Sequence, residues 1–577
     1  MSDSVTALPS REPRHGGHHA IDAALSHGTG ALFTLSGAHI FPLFDAAVGG
    51  KEAVLAANSS KVAERSGRLR LVDVRHEQTA VFAAEAVGKL TRTPGLAAVT
   101  AGPGVTNSLS AVTGAWMNGS PLVLIGGRAP DYRWGSGALQ ELDHVPLLAP
   151  VTKGAWTVHD PSTIGTAIDD AFRLAKTPHR GPVFVDIPMD VLFTPSTPAE
   201  LPPDTSRLGT PESLDPLEAL ADDVQRIAAA IEQAQRPVLV IGSDVWAGDA
   251  IEQAQIFIEC AAIPVIANGM GRGVLPPSDP LLVTRARSAA FKQADVVIVV
   301  GAPLDFRLGY GVFGDTNQPA QVVHLIDAES QRAHHSPDSL CLAGDLRVSL
   351  TALRESLNPS VRHGWNAWAT TLRDISQQAW IADEEVLTAT SSPIHPARIY
   401  GELRSRIDSN DVVIGDGGDF VSYAGRFIEP GAPGCWLDPG PFGCLGTGPG
   451  YALGAHIARP DAHPWLLMGD GAAGFSLMDI ESLVRHDVPV TIVVGNNAGW
   501  GLERHPMRFL YGYDVVADLP AVAYDDVVRS LGGAGETVVH PEDIGPALDR
   551  AREHYGPYLV NILTDPEIAY PRSTTGV

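Results

Sequence analysis

Short runs that are apolar at nearly every position recur along almost the whole chain, each closed by Gly, Asp, Asn or Pro and followed by a stretch with helical spacing. Continuous rather than alternating apolar runs fit strands covered on both faces, as in parallel sheets. FTLSGAH, RLVDVRHEQ, GLAAVTAGPGVTN, PLVLIGG and GPVFVDIP form a first group. PVLVIGS, PVIANG, ADVVIVVGAPLD and QVVHLIDAE form a second, and DVVIGDGG, PWLLMGDG, VPVTIVVGNN and PYLVNILTD a third. The expected fold class is α/β, with three consecutive domains whose parallel sheets are flanked by helices. Two interruptions set the boundaries: a stretch rich in Pro, Ser and Thr at 195–217, and Trp-containing helical material followed by TATSSP at 358–393. The expected division is a disordered tail at 1–20, a first domain at 21–194, a linker at 195–217, a central domain at 218–357, a second linker at 358–393 and a C-terminal domain at 394–577. No short-period repeat is visible.

Composition refines this picture only at the margins. A length of 577 residues fits three or four domains. The formal charge of −25 argues against nucleic acid or anionic membrane as a main partner, while leaving room for an anionic cofactor held locally. Cys260, Cys341, Cys435 and Cys444 form no CxxC pair, which argues against a disulfide framework or thiolate zinc and for a reducing, cytoplasmic setting. The first twenty or so residues lack the apolar core of a signal peptide, and no apolar run is long enough to cross a bilayer. The tract HGGHH offers imidazoles for a metal, but a disordered tail is its expected state.

Candidate chemistry concentrates in PWLLMGDGAAGFSLMDIESLVRHDVPVTIVVGNNAGWG, residues 464–501. A strand is expected to end at Gly469-Asp470-Gly471, a helix to run from about Ser476 to His486, and a second strand to end at Asn496-Asn497. In such a βαβ unit the strands are parallel, so their C-terminal ends share the edge where ligands of open α/β sheets bind. One carboxylate, one amide oxygen and a nearby backbone carbonyl make a hard oxygen site for Mg²⁺, with positions left for phosphate oxygens and water. Gly471 would let a diphosphate approach the backbone, and the helix starting near Ser476 would face it with its positive end.

This segment resembles the thiamine-diphosphate fingerprint, a GDG followed some two dozen or more residues later by NN. Similarity to the acetolactate synthase superfamily extends over nearly the whole chain. The resemblance implies a pyrimidine-binding first domain, a nucleotide-binding-like central domain and a diphosphate-binding third domain, with thiamine diphosphate and Mg²⁺ as cofactors. It implies Asp470, Asn497 and the carbonyl of Gly499 as metal ligands, with Gly469, Gly471 and Ala472 beside the diphosphate. Glu77, in RHEQTAVFAAEA and expected beside AGPGVTN (101–107), matches the family's activating glutamate. A carboxyl group bonded to pyrimidine N1′ favours the imino tautomer that takes the proton from thiazolium C2, and the cofactor then serves as electron sink. Glu64 and Glu85 read as ordinary surface-helix carboxylates. GPFGCLGTG matches the loop that bends the cofactor into a V, with Leu445 as wedge and the Gly443 carbonyl accepting from the 4′-amino group. In this family the glutamate reaches a cofactor held by another subunit, which implies a homodimer as minimal active unit and a homotetramer as the expected assembly. The central domain resembles those that hold FAD or ADP, with Arg287, Asp305 and Asp327 at nucleotide positions; a domain that has lost its ligand is an equal expectation. GMGRG (269–273) is not a GxGxxG turn after a strand and gives no support to a hydride-transfer site.

The fingerprint leaves the reaction open. Acetolactate synthases carry a lysine where this chain has Met189, and a glutamine and a tryptophan where it has Trp500 and Pro506. NNAGWGLERHPM, GGDFVSYAGR, WLDPGPFGCLG and WGSGALQELDHVP resemble short-chain 2-hydroxyacyl-CoA lyases and nearby acetolactate-synthase-like proteins. The first expectation is therefore a lyase that splits a small 2-hydroxyacyl-CoA into formyl-CoA and an aldehyde or ketone, with Glu503 taking the proton of the substrate hydroxyl and returning it to the carbanion. A solvated Glu503 paired with Arg504 or Arg508 is the competing assignment. Leu139 and Leu502 would bound the substrate pocket, with His39, Gln140 and Trp500 lining it. CoA contacts would fall to the central domain and to Arg504, His505 or Arg572. The alternatives are an acetolactate synthase joining two 2-keto acids, and a non-catalytic cofactor-binding relative, against which the joint presence of Glu77 and the metal motif speaks.

Overall fold

A computed structural model of the chain describes residues 14–57, 59–199, 216–358 and 364–571. The first domain holds β1 (Ala31–Thr34), β2 (Arg70–Asp73), β3 (Gly95–Val99), β4 (Leu122–Arg128), β5 (Gly154–Thr157) and β6 (Pro182–Pro188), in the spatial order β2-β1-β3-β4-β6-β5. The central domain holds β7 (Pro237–Ile241), β8 (Val265–Ala267), β9 (Val296–Val300), β10 (Gln321–Ile326) and β11 (Leu340–Ala343), in the order β8-β7-β9-β10-β11. The third holds β12 (Val412–Asp416), β13 (Trp436–Leu437), β14 (Pro464–Gly469), β15 (Thr491–Asn496), β16 (Ala534–Val538) and β17 (Tyr558–Leu563), in the order β13-β12-β14-β15-β17-β16. Every pairing within these three sheets is parallel. The first and third sheets thus share one winding, a repetition with no short-period trace in the sequence. The α/β expectation holds.

The interior strands are those the apolar runs predict, and β4, β6, β7, β9 and β12 are buried at every position. The strands that the pattern misses, β5, β11, β13 and β16, all lie at sheet edges. Three of them are mostly half exposed, β5 and β16 being mixed in polarity and β11 a run of only four residues, and β13 is only Trp436–Leu437.

Two expected boundaries are corrected. The tail does not extend to residue 20, because a helix spans Gly16–Ser26 and buries Gly16, Gly17, His19 and Ala20. Gly17 is required there: a Cβ would stand 2.1 Å from the Pro42 carbonyl oxygen. The second linker is largely a helix, Asn366–Leu387, which buries Trp368 and Leu372. Most of the expected linker at 195–217 falls outside the described residues.

Five helices position the site: α1 (Glu77–Thr91), α2 (Pro103–Asn118), α3 (Gly448–Ala458), α4 (Asp470–Ser476) and α5 (Gly501–Tyr511). Helix α1 of the first domain packs closely on α3 of the third. A Cβ on Gly450 would lie 2.9 Å from the Thr79 carbonyl oxygen, and one on Gly454 2.3 Å from that of Ala83. One hydrophobic core, including Phe82, Tyr451 and Leu466, runs across both domains. Glu85, expected at the surface, is fully buried in this contact. Its carboxylate accepts from Asn118 Nδ2, Ser120 Oγ and the Tyr451 hydroxyl, each at 2.9 Å, which satisfies a charge that would otherwise be costly to bury. Among the described residues no helix is long and apolar enough to cross a membrane.

Candidate functional site

The register pairing Gly469 with Gly495 brings the ends of β14 and β15 together, and with them Asp470 and Asn497. Helix α4 begins at Asp470 itself, not near Ser476; a 3-10 turn over Leu477–Asp479 follows it, and a second helix spans Ile480–Arg485. An acidic residue in the first turn and small buried residues behind it (Gly471, Ala472, Ala473) account for this early start. The two carboxylate oxygens of Asp470 accept from the N–H groups of Gly471 and Gly499, both at 3.0 Å. Asn496 turns inward, donating to the Val522 carbonyl and Asn561 Oδ1, while Asn497 faces the cavity.

Arg504 is almost wholly buried and holds the loop from below. It donates to the carbonyls of Ala498 (2.9 Å), Asn497 (3.5 Å) and Pro566 (3.4 Å) and pairs with Asp518 at 2.9 Å. Its two terminal nitrogens are therefore committed and its Nε is buried, so it is no candidate for a CoA contact. Arg572 lies outside the described residues.

Burial raises the Asp470 pKa to about 6, against the opposing pull of the Gly499 and Gly471 N–H groups. A buried carboxylate with no ion pair among the described residues, beside an amide oxygen and loop carbonyls, fits a hard dication such as Mg²⁺. Gly471 also answers to a second constraint. A Cβ there would meet the indole of Trp500 at 2.5 Å, so the glycine makes room for that ring, which also contacts Phe475 edge-on.

The loop carrying Gly443 and Leu445 is fixed by a residue that sequence reasoning missed. Asp416, at the end of β12, is fully buried and accepts from the N–H groups of Gly446 (3.0 Å) and Gly448 (2.8 Å). Burial pushes its pKa to about 7 in spite of those two bonds. Gly443 and Gly446 adopt φ of +70° and +79°, which a side chain would strain. Asp416→Asn turns an amide N–H toward one of the backbone N–H groups. We expect about tenfold weaker binding of thiamine diphosphate, from roughly 1–3 kcal/mol for an unpaired buried group, measured by calorimetric titration. Unchanged affinity would count against a role for this loop.

Gly443, Leu445, Asp470, Gly471, Ala472, Asn497, Gly499, Trp500, Leu502 and Glu503 line one cavity of about 550 Å³, and Gly469 ends the strand that leads to it. The same wall includes Asp419, Val421 and Ser422 from the helix Gly418–Phe427, and Phe306 and Arg307 from the central domain. Asp419, Val421 and Ser422 were legible only as part of GGDFVSYAGR, and Phe306 and Arg307 follow the apolar run ADVVIVVGAPLD without belonging to it. Glu503 is exposed on the first turn of α5. The proposed ion pairs are not made: Arg508 binds Asp514 (2.8 Å) and Glu567 (2.7 Å), and Arg504 binds Asp518.

The first-domain residues do not line this cavity. Glu77 opens α1, is 8% exposed, and accepts from Asn107 Nδ2 at 3.0 Å, which places it beside AGPGVTN as expected. Buried His39 lies 3.0 Å from Thr100 Oγ1, and burial lowers its pKa. Gln140, at φ +61°, packs on Gly102, where a Cβ would stand 2.9 Å from its own Cβ. Leu139 is 78% exposed. The Gly102 N–H donates to His144 Nε2 at 3.0 Å, and His144 is backed by Asp186 and Arg128, which fixes this segment of the first domain.

The three central-domain candidates do not converge on one pocket. Asp305 caps the turn at Phe306 and pairs with Arg307 at 2.7 Å. Arg287 is held at the Arg307 carbonyl, and burial lowers its pKa to about 10. Buried Asp327 binds Arg180 at 2.9 Å and lies 3.4 Å from His179, whose other carboxylate neighbour is Asp244 at 3.5 Å. Asp244 follows β7, at the start of the helix Ser243–Ala247, where a nucleotide phosphate would be expected. The crevice lined by Arg180, Ser243, Asp244 and Arg307 measures about 30 Å³, room for a water and not for a nucleotide. Asp327 and Arg287 do not line this crevice, so the nucleotide candidates share no cavity among the described residues.

Comparison with known proteins agrees with the three-part layout. Residues 14–147 match the N-terminal TPP-binding domain of thiamine pyrophosphate enzymes, 224–353 their central domain and 416–562 their C-terminal TPP-binding domain. The chain is 46% identical over 567 residues, 97% of each protein, to a probable acetolactate synthase of Mycobacterium bovis and to acetolactate synthase large subunit IlvG of Mycobacterium tuberculosis. It is 35% identical over 557 residues to 2-hydroxyacyl-CoA lyase 2 of Bos taurus, covering 90% of this chain and 85% of that protein.

Proposed function

This chain belongs to the acetolactate synthase family of thiamine-pyrophosphate-dependent enzymes, and on that footing we propose that it is a Mg²⁺-dependent carboligase joining two 2-keto acids with loss of carbon dioxide. The observation that carries this reading is full-length similarity to two acetolactate synthases at 46% identity, well above the similarity to the CoA lyases. The cavity favours it too. Its one basic wall residue among those described, Arg307, is paired with Asp305, and Arg504 is buried beneath the loop. The phosphates of a CoA ester call for free cations that this wall does not offer.

The residues present fit the cofactor. When bound, thiamine diphosphate supplies the acidic carbon and the electron sink that carbon–carbon bond making and breaking require. Asp470, Asn497 and the Gly499 carbonyl would hold Mg²⁺ and, through it, the diphosphate. Leu445 and Gly443, fixed by Asp416, would shape the ring-binding surface. Glu77, oriented by Asn107, would hold and share a proton with the pyrimidine ring. Trp500, Leu502 and Glu503 form the wall nearest the acceptor.

Glu77 and the metal-site cavity lie on separate surfaces of one chain, and exposed Tyr132, Trp134 and Leu139 flank the first surface while exposed Phe442 and Phe475 flank the second. We read these as two halves that a second copy of the chain brings together, making a homodimer the smallest active unit and a tetramer a pairing of such dimers. The central domain is read as structural. Denatured protein is then expected to release neither flavin colour nor adenine absorbance, and a yellow supernatant would reverse that assignment.

A CoA-lyase reading survives on one observation, the exposed Glu503 carboxylate in the cavity wall. Holoenzyme given pyruvate is expected to form acetolactate, and given a 2-hydroxyacyl-CoA to release no formyl-CoA. Formyl-CoA without acetolactate would select the lyase. In that case Glu503→Ala should cost roughly 10²–10⁴-fold, as for a proton-transfer residue.

A further inference from the structure

Far from the cofactor cavity, at the N-terminal edges of the first and third sheets, a second cleft of about 450 Å³ opens between the two domains. Its polar walls are Arg65 and Arg70 from the first domain and His456, His486, Asp487 and Tyr555 from the third. Arg70 Nε, His456 Nδ1 and His486 Nδ1 are buried and have no hydrogen-bond partner among the described residues. Buried polar atoms are normally paired, so three unpaired nitrogens in one cleft require an explanation.

The neighbouring carboxylates do not supply it. Asp487 is taken by Arg65 at 2.7 Å, and Arg65 also donates to the Arg485 carbonyl at 2.7 Å. Asp73 is held by Arg485 and lies 3.3 Å from His486 Nε2. The same Nε2 is 2.9 Å from the Asp73 carbonyl oxygen, so it carries a hydrogen, and Nδ1 is the unpaired nitrogen, a donor only when the ring is protonated. Arg70 has no ion pair among the described residues, and its pKa is lowered by burial and then by Arg65. Burial also lowers the pKa of His456, and Arg70 and His486 press it further down. In a chain of net charge −25 this cleft gathers two arginines and two histidines around one carboxylate in its wall, Asp487, which Arg65 already holds.

We propose that this cleft binds a compact, doubly charged oxyanion, a phosphate group or a small dicarboxylate, through Arg70, His456 and His486. A guanidinium and two imidazoles protonated as the anion binds can donate to several of its oxygens, which gives the unpaired nitrogens partners. An open cleft of this size also admits the small molecule that carries the group. The site is distinct from the cofactor's, because its residues precede the strands whose opposite ends form the cavity. It still touches both catalytic halves mechanically. Helix α3 runs from Gly448, beside the Asp416-bound loop, to His456, and β2 runs from Arg70 toward Glu77.

The test titrates holoenzyme, saturated with thiamine diphosphate and Mg²⁺, with inorganic phosphate and separately with malonate at constant ionic strength. One site per chain is expected by calorimetry. Arg70→Gln and His456→Gln should each weaken it at least ~10-fold, about the loss of one charge-assisted hydrogen bond. Neither of those side-chain nitrogens is bonded in the structure, so both variants should melt at the wild-type temperature in chloride. Binding of phosphate alone identifies a phosphate site, and binding of malonate as well identifies a general dianion site. No binding of either anion to wild type, or equal affinity in wild type and both variants, overturns the proposal.

Discussion

Asp470→Ala is expected to remove Mg²⁺-dependent binding of thiamine diphosphate, weakening it on the order of 100-fold or more, since even outer-shell changes at metal sites cost 10–100-fold. Two losses combine in this substitution. The negative charge that a buried dication would neutralise is gone, and so are the acceptors that fix the Gly471 and Gly499 N–H groups. Asp470→Asn separates them, because an amide oxygen still accepts from one N–H while contributing no charge. If the carboxylate is a metal ligand, Asn should bind cofactor nearly as poorly as Ala, and the remaining affinity should no longer depend on Mg²⁺. If Asp470 only braces the loop, Asn should recover most of the affinity. Calorimetric titration with and without Mg²⁺ distinguishes these outcomes, and wild-type affinity in Asp470→Ala would refute the metal assignment.

What could be read from the sequence follows the physics of burial. Strands such as Val296–Val300, covered on both faces, leave an unbroken apolar run and were legible. Edge strands such as Gly154–Thr157 are half exposed and leave no such run. The metal motif was legible because one βαβ crossover places both of its parts on one edge. The start of α4 was not, since Asp470-Gly471 reads locally as a turn while the helix is fixed by its buried small residues. Side chains whose roles depend on distant partners were misread or missed. Glu85 looks like a surface carboxylate until Tyr451, from the third domain, is packed against it. Arg504 looks like a free cation until the carbonyls of its own loop surround it. Asp416 follows an ordinary strand, and only the return of the chain at Gly446 and Gly448 gives it a task.

Glu77→Gln is expected to leave cofactor binding intact and lower turnover by roughly 10²–10⁴-fold, the usual contribution of a positioned proton-transfer group. Glutamine keeps the volume of the side chain and an oxygen to accept from Asn107, so α1 and its packing on α3 should be undisturbed. What is lost is a carboxyl group able to share a proton with the pyrimidine. The same variant tests the two-chain site. A dimer of one Glu77→Gln chain and one Asp470→Ala chain contains one site with both defects and one with neither, provided that Glu77 serves the cavity of its partner. Random pairing of equal amounts of the two inactive proteins then restores about a quarter of wild-type activity, because half the dimers are mixed and half their sites are whole. If each chain instead supplies its own glutamate, every site carries one defect and mixing restores nothing. Activity measured before and after subunit exchange therefore reads the architecture of the site directly, independently of which keto acid the enzyme prefers.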